Sequence, residues 1–370
     1  MPVYSLIKLI IAIFAPMKHL VIRNLGPLKE ADVELKRINV IIGSQSSGKS
    51  CVLKTACYCT WVEKRIELTQ TSDFFAKDGN FLKELERFHK LKGYIKEDTF
   101  ISYESEFMAF SFHNATNTFK FDWKEGRWNY HRSKVTYIPA ERNLVAAIPN
   151  WFQVKFNDDN IRDFMADWET ARQATTDDLS VLNLGVSYHY DANTKSDKVQ
   201  VADGVTLDFT NTSSGLQSLI PLYVHLSHLV YRDDTKISIG NSRENEKLQE
   251  LIYRELPADE REAIYNNFTK AESCDVFLEE PEANLFPPTQ TVLVEWLLEL
   301  TKEQKPCNLF IATHSPYILE TFLEKKNIGV QLLFTRKDND KMLIKTATEQ
   351  DLQDMYDYGL DAFFNMETLG

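Results

Sequence analysis

Between an apolar run, Ile38 to Ile42, and an amphipathic stretch that begins at Cys51 lies Gly43-Ser44-Gln45-Ser46-Ser47-Gly48-Lys49-Ser50. The order is strand, glycine loop, helix. It restricts the chain to folds in which a loop at the end of a strand runs directly into a helix. A loop of this spacing turns successive backbone N–H groups inward around a phosphate, with Lys49 reaching the β and γ phosphates and the Ser50 hydroxyl placed to ligate Mg²⁺. A Ser/Gly turn matches parts of such a pattern by chance, but here the spacing is complete and both flanks fit. The stretch Gly43 to Cys51 is therefore expected to form a phosphate-binding P-loop.

A loop of this kind needs a sheet around it, and 370 residues suffice for one large α/β domain with insertions or for two domains. The 43% hydrophobic and 12% aromatic content fits a folded globule. A formal charge of −12 argues against a broadly nucleic-acid-coating surface, which leaves any polyanion contact local or made by a partner. Cys51, Cys57, Cys59, Cys274 and Cys307 show no CxxC pairing, which fits a reducing, cytoplasmic setting. His225 and His228 share a helix face; a metal pair is weighed there against ordinary surface histidines, and the second reading is preferred. Residues 1–16 carry an apolar core broken by Lys8, too short to span a bilayer, and are read as an extended start ahead of Met17.

From Lys18 to Asn24 the pattern is a strand, Gly26-Pro27 a turn, and Ala31, Val33 and Leu35 alternate with acids as in a half-exposed strand. These are expected to form an edge hairpin leading into the central strand Ile38 to Ile42. The helix after Ser50 is expected to reach about Leu68, its N-terminal dipole end aimed at the phosphates. Residues 72–98 are the most basic stretch, interleaved with Phe74, Phe75, Phe81 and Phe88; the solvated face of an amphipathic helix is the preferred reading over a nucleic-acid contact. An antiparallel meander is expected from Thr99, returning through Trp128 to Arg132 and ending in the strand Val135 to Ile138. The loop after it, Pro139-Ala140-Glu141-Arg142, is placed to contact Mg²⁺ or the attacking water.

Residues 143–184 read as amphipathic helix, followed by three short strands with a turn at Asp203-Gly204. Asn211-Thr-Ser213-Ser214-Gly215-Leu216-Gln217 then opens a helix ending near Tyr231; a start near Gln217 puts Pro221 in its first turn. Ser242 to Lys270 forms two charged helical segments broken at Leu256-Pro257. The apolar strand from Cys274 ends in Glu279-Glu280-Pro281-Glu282, which puts one carboxylate near the Mg²⁺ shell and the next beside the γ-phosphate, where it polarises water. The strand Asn308 to Ala312 ends at Thr313-His314-Ser315-Pro316, with His314 beside the same phosphate. Ile328 to Phe334 and Met342 to Thr346 are expected to close the sheet, ahead of a short helical tail.

GSQSSGKS, TSSGLQSL, VFLEEPEANLFP and IATHSP stand in the order of the Walker A, signature, Walker B with D-loop, and H-loop motifs of the ABC-type ATPases. The chain resembles the soluble branch of that superfamily, the RecF, SMC and OLD-like ATPases, including ATP-binding components of anti-phage systems such as PARIS and Septu. The resemblance spans Lys18 to about Thr346. It implies an α/β P-loop NTPase fold, an ABC-type ATPase head with an antiparallel β subdomain and helical insertions. It also implies that Gly43, Ser44, Gln45, Ser46, Ser47, Gly48, Lys49, Ser50 and Cys51 bind ATP, that Ser50 and Glu279 hold Mg²⁺, and that Glu280 is the catalytic carboxylate with Lys49 and His314 beside it. Glu279 stands where many relatives have Asp. Ser214 and Gly215 match the signature that caps the nucleotide of the other subunit, with Leu216 in place of its second glycine, and Glu141-Arg142 occupies the strand end where relatives carry the Q-loop glutamine.

The resulting expectation is a cytoplasmic, Mg²⁺-dependent ATPase with no membrane association. It is expected to work as a homodimer or higher homo-oligomer closing head to tail around ATP, and to control a separate effector such as a Toprim or HNH nuclease, since Gly370 follows the last strand too closely for a nuclease in the same chain. Anti-phage defence is the preferred setting over DNA repair or a nucleotide-gated scaffold, and nucleic acid is left open as a partner. The expected division is an extension at 1–16, a P-loop half with the meander at 17–142, a helical and hairpin insertion at 143–210, a signature, Walker B and H-loop half at 211–346 containing the helical insertion 242–270, and a tail at 347–370.

Overall fold

The structure, a computed structural model, describes residues 18–201, 204–231, 242–324, 329–338 and 341–358. The extension at 1–16 and Asp203 of the hairpin turn lie outside them. The chain begins with β1 (Lys18–Leu25) and β2 (Leu28–Leu35), an antiparallel pair joined at Gly26-Pro27, and continues into β3 (Ile38–Ile42), every residue of which is buried. The P-loop leads into α1 (Lys49–Thr69); a short helix at Asp73–Ala76 and α2 (Asn80–Phe88) precede β4 (Ile95–Glu104), β5 (Met108–His113) and β6 (Thr118–Trp123). After β7 (Ser133–Ile138) comes α3 (Asn160–Gln173), its first turn capped by the Asp159 carboxylate, which accepts from the Ile161 and Arg162 N–H groups. Four short strands follow, β8 (Leu179–Ser180), β9 (Ser187–Asp191), β10 (Ser196–Gln200) and β11 (Thr206–Asp208). The second half holds α4 (Ser214–Tyr231), α5 (Ser242–Glu255), α6 (Arg261–Thr269), β12 (Ser273–Glu279), α7 (Pro287–Leu300), β13 (Cys307–Thr313), α8 (Pro316–Glu324), β14 (Val330–Asp338), β15 (Lys341–Thr346) and α9 (Glu349–Tyr358).

One sheet of eleven strands runs in the order β6-β5-β4-β1-β2-β15-β14-β3-β13-β12-β7, and β11-β10-β9-β8 form a second. From β14 through β3, β13 and β12 to β7 all neighbours are parallel, and the apolar runs expected of strands covered on both faces are found there. Alternate side chains serve different cores. Cys274, Val276 and Leu278 of β12 and Leu309 and Ile311 of β13 pack with α3, α4 and α7. Phe277 and Phe310 face α1 instead and stack with centroids 4.4 Å apart. The fold is thus mixed α/β, with helices on both faces of the parallel half and an antiparallel extension.

Several sequence expectations need correction. The β1–β2 hairpin lies inside the sheet, because β4 covers β1 and β15 pairs with β2. β14 and β15 do not close the sheet but join its parallel and antiparallel halves. Residues 125–129 form a 3-10 turn rather than a returning strand, and β7 leaves the meander to become the far edge, parallel to β12. Leu179 belongs to β8, not to a helix. Pro221 lies in the helix interior, because Ser213 starts α4 early: its carbonyl accepts from the Gln217 N–H at 2.9 Å and its hydroxyl from the Leu216 N–H at 3.4 Å. His225 and His228 are buried rather than on the surface. The basic stretch behaves as an amphipathic face, with Phe75, Phe81, Leu82 and Leu85 buried and Arg87 bound to Glu84 and Asp158.

Candidate functional site

Three adjacent parallel strands end side by side. The ladder pairs Ile42 of β3 with Thr313 of β13, and Ala312 of β13 with Glu279 of β12, so the residues that follow, Gly43, His314 and Glu280, share one edge. In open α/β sheets ligands bind at this carboxyl edge.

The loop leaving β3 is shaped by its neighbours. A Cβ on Gly43 would lie 1.7 Å from the Thr335 Oγ1 on β14, and Gly48 has φ +93° with Leu28 against it, so neither position accepts a side chain without displacement. Ser44, Gln45, Ser46 and Ser50 are exposed, whereas Ser47 turns inward and donates from its hydroxyl to the Ser44 carbonyl at 2.7 Å. Lys49 is buried and donates from Nζ to the carbonyls of Gly43 (2.9 Å) and Ser44 (2.7 Å), which holds its ammonium across the loop. Burial lowers its pKa, and the fields of Glu280 and Glu282 oppose that shift. Lys49 is also the first residue of α1, so the loop delivers a helix N-terminus to the same spot. The Cys51 thiol is buried beside it and pushed up to about 11 by desolvation, which leaves its backbone rather than its sulfur available to a ligand.

From β12, Glu279 is buried and its Oε1 lies 3.9 Å from the Lys54 Nζ. Lys54 is four residues beyond Ser50, so one face of α1 presents the Ser50 hydroxyl and the approach to Glu279 together. Among the described residues no group of three or more His, Cys, Asp or Glu forms a metal cage. A serine hydroxyl and one carboxylate are the kind of oxygen set that suits Mg²⁺ held jointly with nucleotide phosphates. Glu280 follows with φ +43°, an uncommon conformation for this residue, and its N–H donates to the Ala312 carbonyl at 2.8 Å. Its half-exposed carboxylate lies 3.7 Å from the His314 Nδ1.

Sequence reasoning missed Glu282. Its Oε1 accepts from the His314 N–H at 2.9 Å and lies 3.4 Å from that residue's Nδ1, so this buried carboxylate orients the histidine. The acidic residue two places beyond Glu280 was the available signal. In the loop Pro139-Ala140-Glu141-Arg142, Glu141 is exposed and Arg142 is buried. Its guanidinium donates to five backbone carbonyls, those of Ser218, Pro139, Glu279, Glu280 and Pro281. Desolvation lowers its pKa to about 10, with Glu282, Glu280 and Glu279 opposing.

Ser214 is exposed at the start of α4, and a Cβ on Gly215 would stand 3.1 Å from the Asn284 carbonyl. Asn284 in turn donates to the Ser218 hydroxyl at 2.8 Å. The loop before α4 is therefore packed against the turn after Glu280. Its hydrogen bonds stay local, Gln217 donating to the Thr210 and Thr212 carbonyls, and among the described residues none joins 213–217 to the loop 43–50.

Residues 153–319, less than half of the chain, match the AAA ATPase domain family. That span contains Ser214, Glu280 and His314 but not the loop 43–50. No curated protein matches the chain significantly. Among solved structures, the SMC head domain from Thermotoga maritima is similar over 90% of this chain and 100% of its own, with 10% identity and a TM-score of 0.44. An Smc head domain with an extended coiled coil from Pyrococcus furiosus, bound to the C-terminal domain of ScpA, aligns over 93% and 99% with 8% identity and a TM-score of 0.44. Likeness at this level carries neither activity nor partners across. No helix among the described residues is long and apolar enough to cross a membrane.

Proposed function

We propose that the chain is a Mg²⁺-dependent ATPase. The observation that carries this reading is that Gly43, Glu280 and His314 follow the ends of three neighbouring parallel strands, with the Lys49 Nζ held to the Gly43 carbonyl at 2.9 Å and His314 Nδ1 3.7 Å from Glu280 Oε1. The backbone of Gly43 to Ser50 cradles the phosphates, and the Lys49 ammonium binds the β and γ oxygens. Ser50 and Glu279 are the residues that would hold the ion, which when bound supplies charge neutralisation at the phosphates. Glu280 orients the attacking water and takes its proton, while His314, steadied by Glu282, contacts the γ-phosphate. In this reading Ser214 and Gly215 cap the nucleotide of a second copy, and the head-to-tail pair controls a separate effector, of Toprim or HNH nuclease type, in bacterial anti-phage defence. What supports the defence setting is the resemblance of the four motifs in their order.

Phosphate release by the purified protein tests the core of this reading. Lys49→Ala is expected to lose ATP binding and release together, and Glu280→Gln to keep binding while release falls at least a hundredfold. Release by Glu280→Gln at the wild-type rate removes that carboxylate from its role. A wild type without Mg²⁺-dependent release overturns the reading.

A further inference from the structure

Arg142 joins three parts of the chain through one side chain. It leaves the segment after β7, its Nε donates to the Ser218 carbonyl of α4 at 3.0 Å, and its two terminal nitrogens spread over the turn that carries Glu280. One donates to the carbonyls of Glu279 (3.0 Å) and Pro139 (3.3 Å), the other to those of Glu280 (2.9 Å) and Pro281 (3.2 Å). All five acceptors are backbone oxygens, so what the guanidinium fixes is the path of the chain. Glu280 needs such fixing, because its φ of +43° persists only where surroundings over-determine it. The arginine's flat fork is suited to this, since five donors in a fixed plane hold several carbonyls at set angles, whereas a lysine reaches only one or two of them.

The Ser218 carbonyl is the informative partner. It lies one turn inside α4, three residues before Pro221, whose ring crowds the preceding turn of the helix. The same turn receives Asn284, whose amide donates to the Ser218 hydroxyl at 2.8 Å. A displacement of α4 along its axis therefore pulls on the Glu280 turn through Arg142 and on the segment after it through Asn284. The exposed start of α4, Ser214, is where a ligand or second copy would act.

We propose that Arg142 is a positioning residue that makes the direction of the Glu280 carboxylate depend on the position of α4. Contact at the start of α4 is thereby felt at Glu280. This rests on the assignment of Glu280 to hydrolysis. The arginine touches no reacting atom; its effect is on the chain that presents one.

The test compares wild type, Arg142→Lys and Gln217→Ala by steady-state ATP hydrolysis, by titration with a fluorescent ATP analogue and by hydrogen exchange without nucleotide. Arg142→Lys is expected to keep analogue affinity and KM within threefold and to lower kcat at least tenfold. Its Ala283 and Leu285 amides, which bond the Glu280 and Glu282 carbonyls at 3.0 Å and 2.8 Å, should exchange at least tenfold faster while those of β3 and α1 are unchanged. Gln217→Ala, which frees the start of α4 by removing the amide bonds to the Thr210 and Thr212 carbonyls without removing a partner of Arg142 or Asn284, should speed exchange at the same two amides. It also decides the matter if Arg142→Lys does not fold. Wild-type kcat with wild-type exchange at the turn in Arg142→Lys, or no change at the turn in Gln217→Ala, overturns the proposal, as does faster exchange throughout the protein. Absence of Lys49-dependent hydrolysis in wild type would instead overturn the assignment of Glu280, and the exchange measurements still decide the coupling.

Discussion

At the scale of single residues, the side chains that set the chemistry and those that set the acid limit of stability are different ones. His89 is buried among Tyr58, Phe88 and Tyr137, with Nδ1 lacking a hydrogen-bond partner. Burial, helped by Lys54, lowers its pKa to about 3. A histidine kept neutral in the folded state binds no proton there, whereas the unfolded chain binds one below about 6.5, so its contribution falls as pH drops from that value toward 3. Asp163 works in the opposite sense: desolvation and Asp167 raise it to about 6, so its contribution is lost as pH rises from the unfolded value through 6. The two partly cancel in the wild type, and the difference between variants isolates one of them. His89→Phe keeps the ring packing and removes the protonation, so urea melts at pH 7.5 and 5.0 should show a stability loss smaller than the wild type's by about 1–2 kcal/mol. An equal loss in both proteins assigns the acid sensitivity elsewhere. None of this was visible in the sequence, where His89 is one basic residue among several. Burial, not residue type, sets its behaviour. The loop Gly43 to Ser50, by contrast, was legible because its spacing is itself the constraint.

At the scale of elements, local pattern foretold which segments are strands and missed how they are ordered. Ile38 to Ile42, Cys274 to Glu279 and Asn308 to Ala312 announce buried strands through largely apolar runs, polar only at Asn39, Asp275, Glu279 and Asn308. Nothing in Leu28 to Leu35, however, says that it pairs with Lys341 to Thr346 three hundred residues away. Alternation reports which face of a strand is covered, not which strand lies beside it. The helical pair α5 and α6 shows the same limit. From its charge it reads as an addition that the nucleotide site does not need, yet Leu248, Ile252 and Phe268 are buried with Phe107 and Tyr130 in a third core. Phe268 contacts Tyr130 with centroids 5.3 Å apart and Trp128 at 6.0 Å. Truncation to alanine here leaves a cavity that the 3-10 turn before β7 has little freedom to fill. Phe268→Ala should lower unfolding free energy by about 3–5 kcal/mol in urea titrations, and replacing the whole pair with a short linker should expose Phe107 and Tyr130 rather than leave a soluble core. A Phe268→Ala protein within 1 kcal/mol or so of wild type would return the pair to the status of a removable appendage.

At the scale of the whole molecule, the proposed reading raises the question of why one chain carries two loops, each opening a helix, for the same phosphates. The loop 43–50 aims the start of α1 at a phosphate, and Ser214 opens α4 from an exposed loop of small residues. In the proposed reading the first supplies a cradle for the phosphates held by its own chain. The second lies against Asn284 and, among the described residues, shares no hydrogen bond with the first. Two cradles on one chain are both used if two copies meet head to tail, each Ser214 reaching the nucleotide held by the other's Lys49. That arrangement makes a complementation prediction. Lys49→Ala damages the site its own chain carries, whereas Ser214→Arg blocks the site its partner carries, by bulk. A mixed dimer of these variants therefore gathers both lesions into one site and leaves the other intact, while either variant alone has two damaged sites. Purified heterodimers, separated by two affinity tags, should trap close to one nucleotide per dimer in a slowly hydrolysed analogue, and each homodimer close to none. Turnover is the poorer measure, because it vanishes in the heterodimer if the two sites fire only together. If heterodimers trap no more than the homodimers do, while wild type traps two under the same conditions, Ser214 acts on its own chain and the head-to-tail arrangement is wrong.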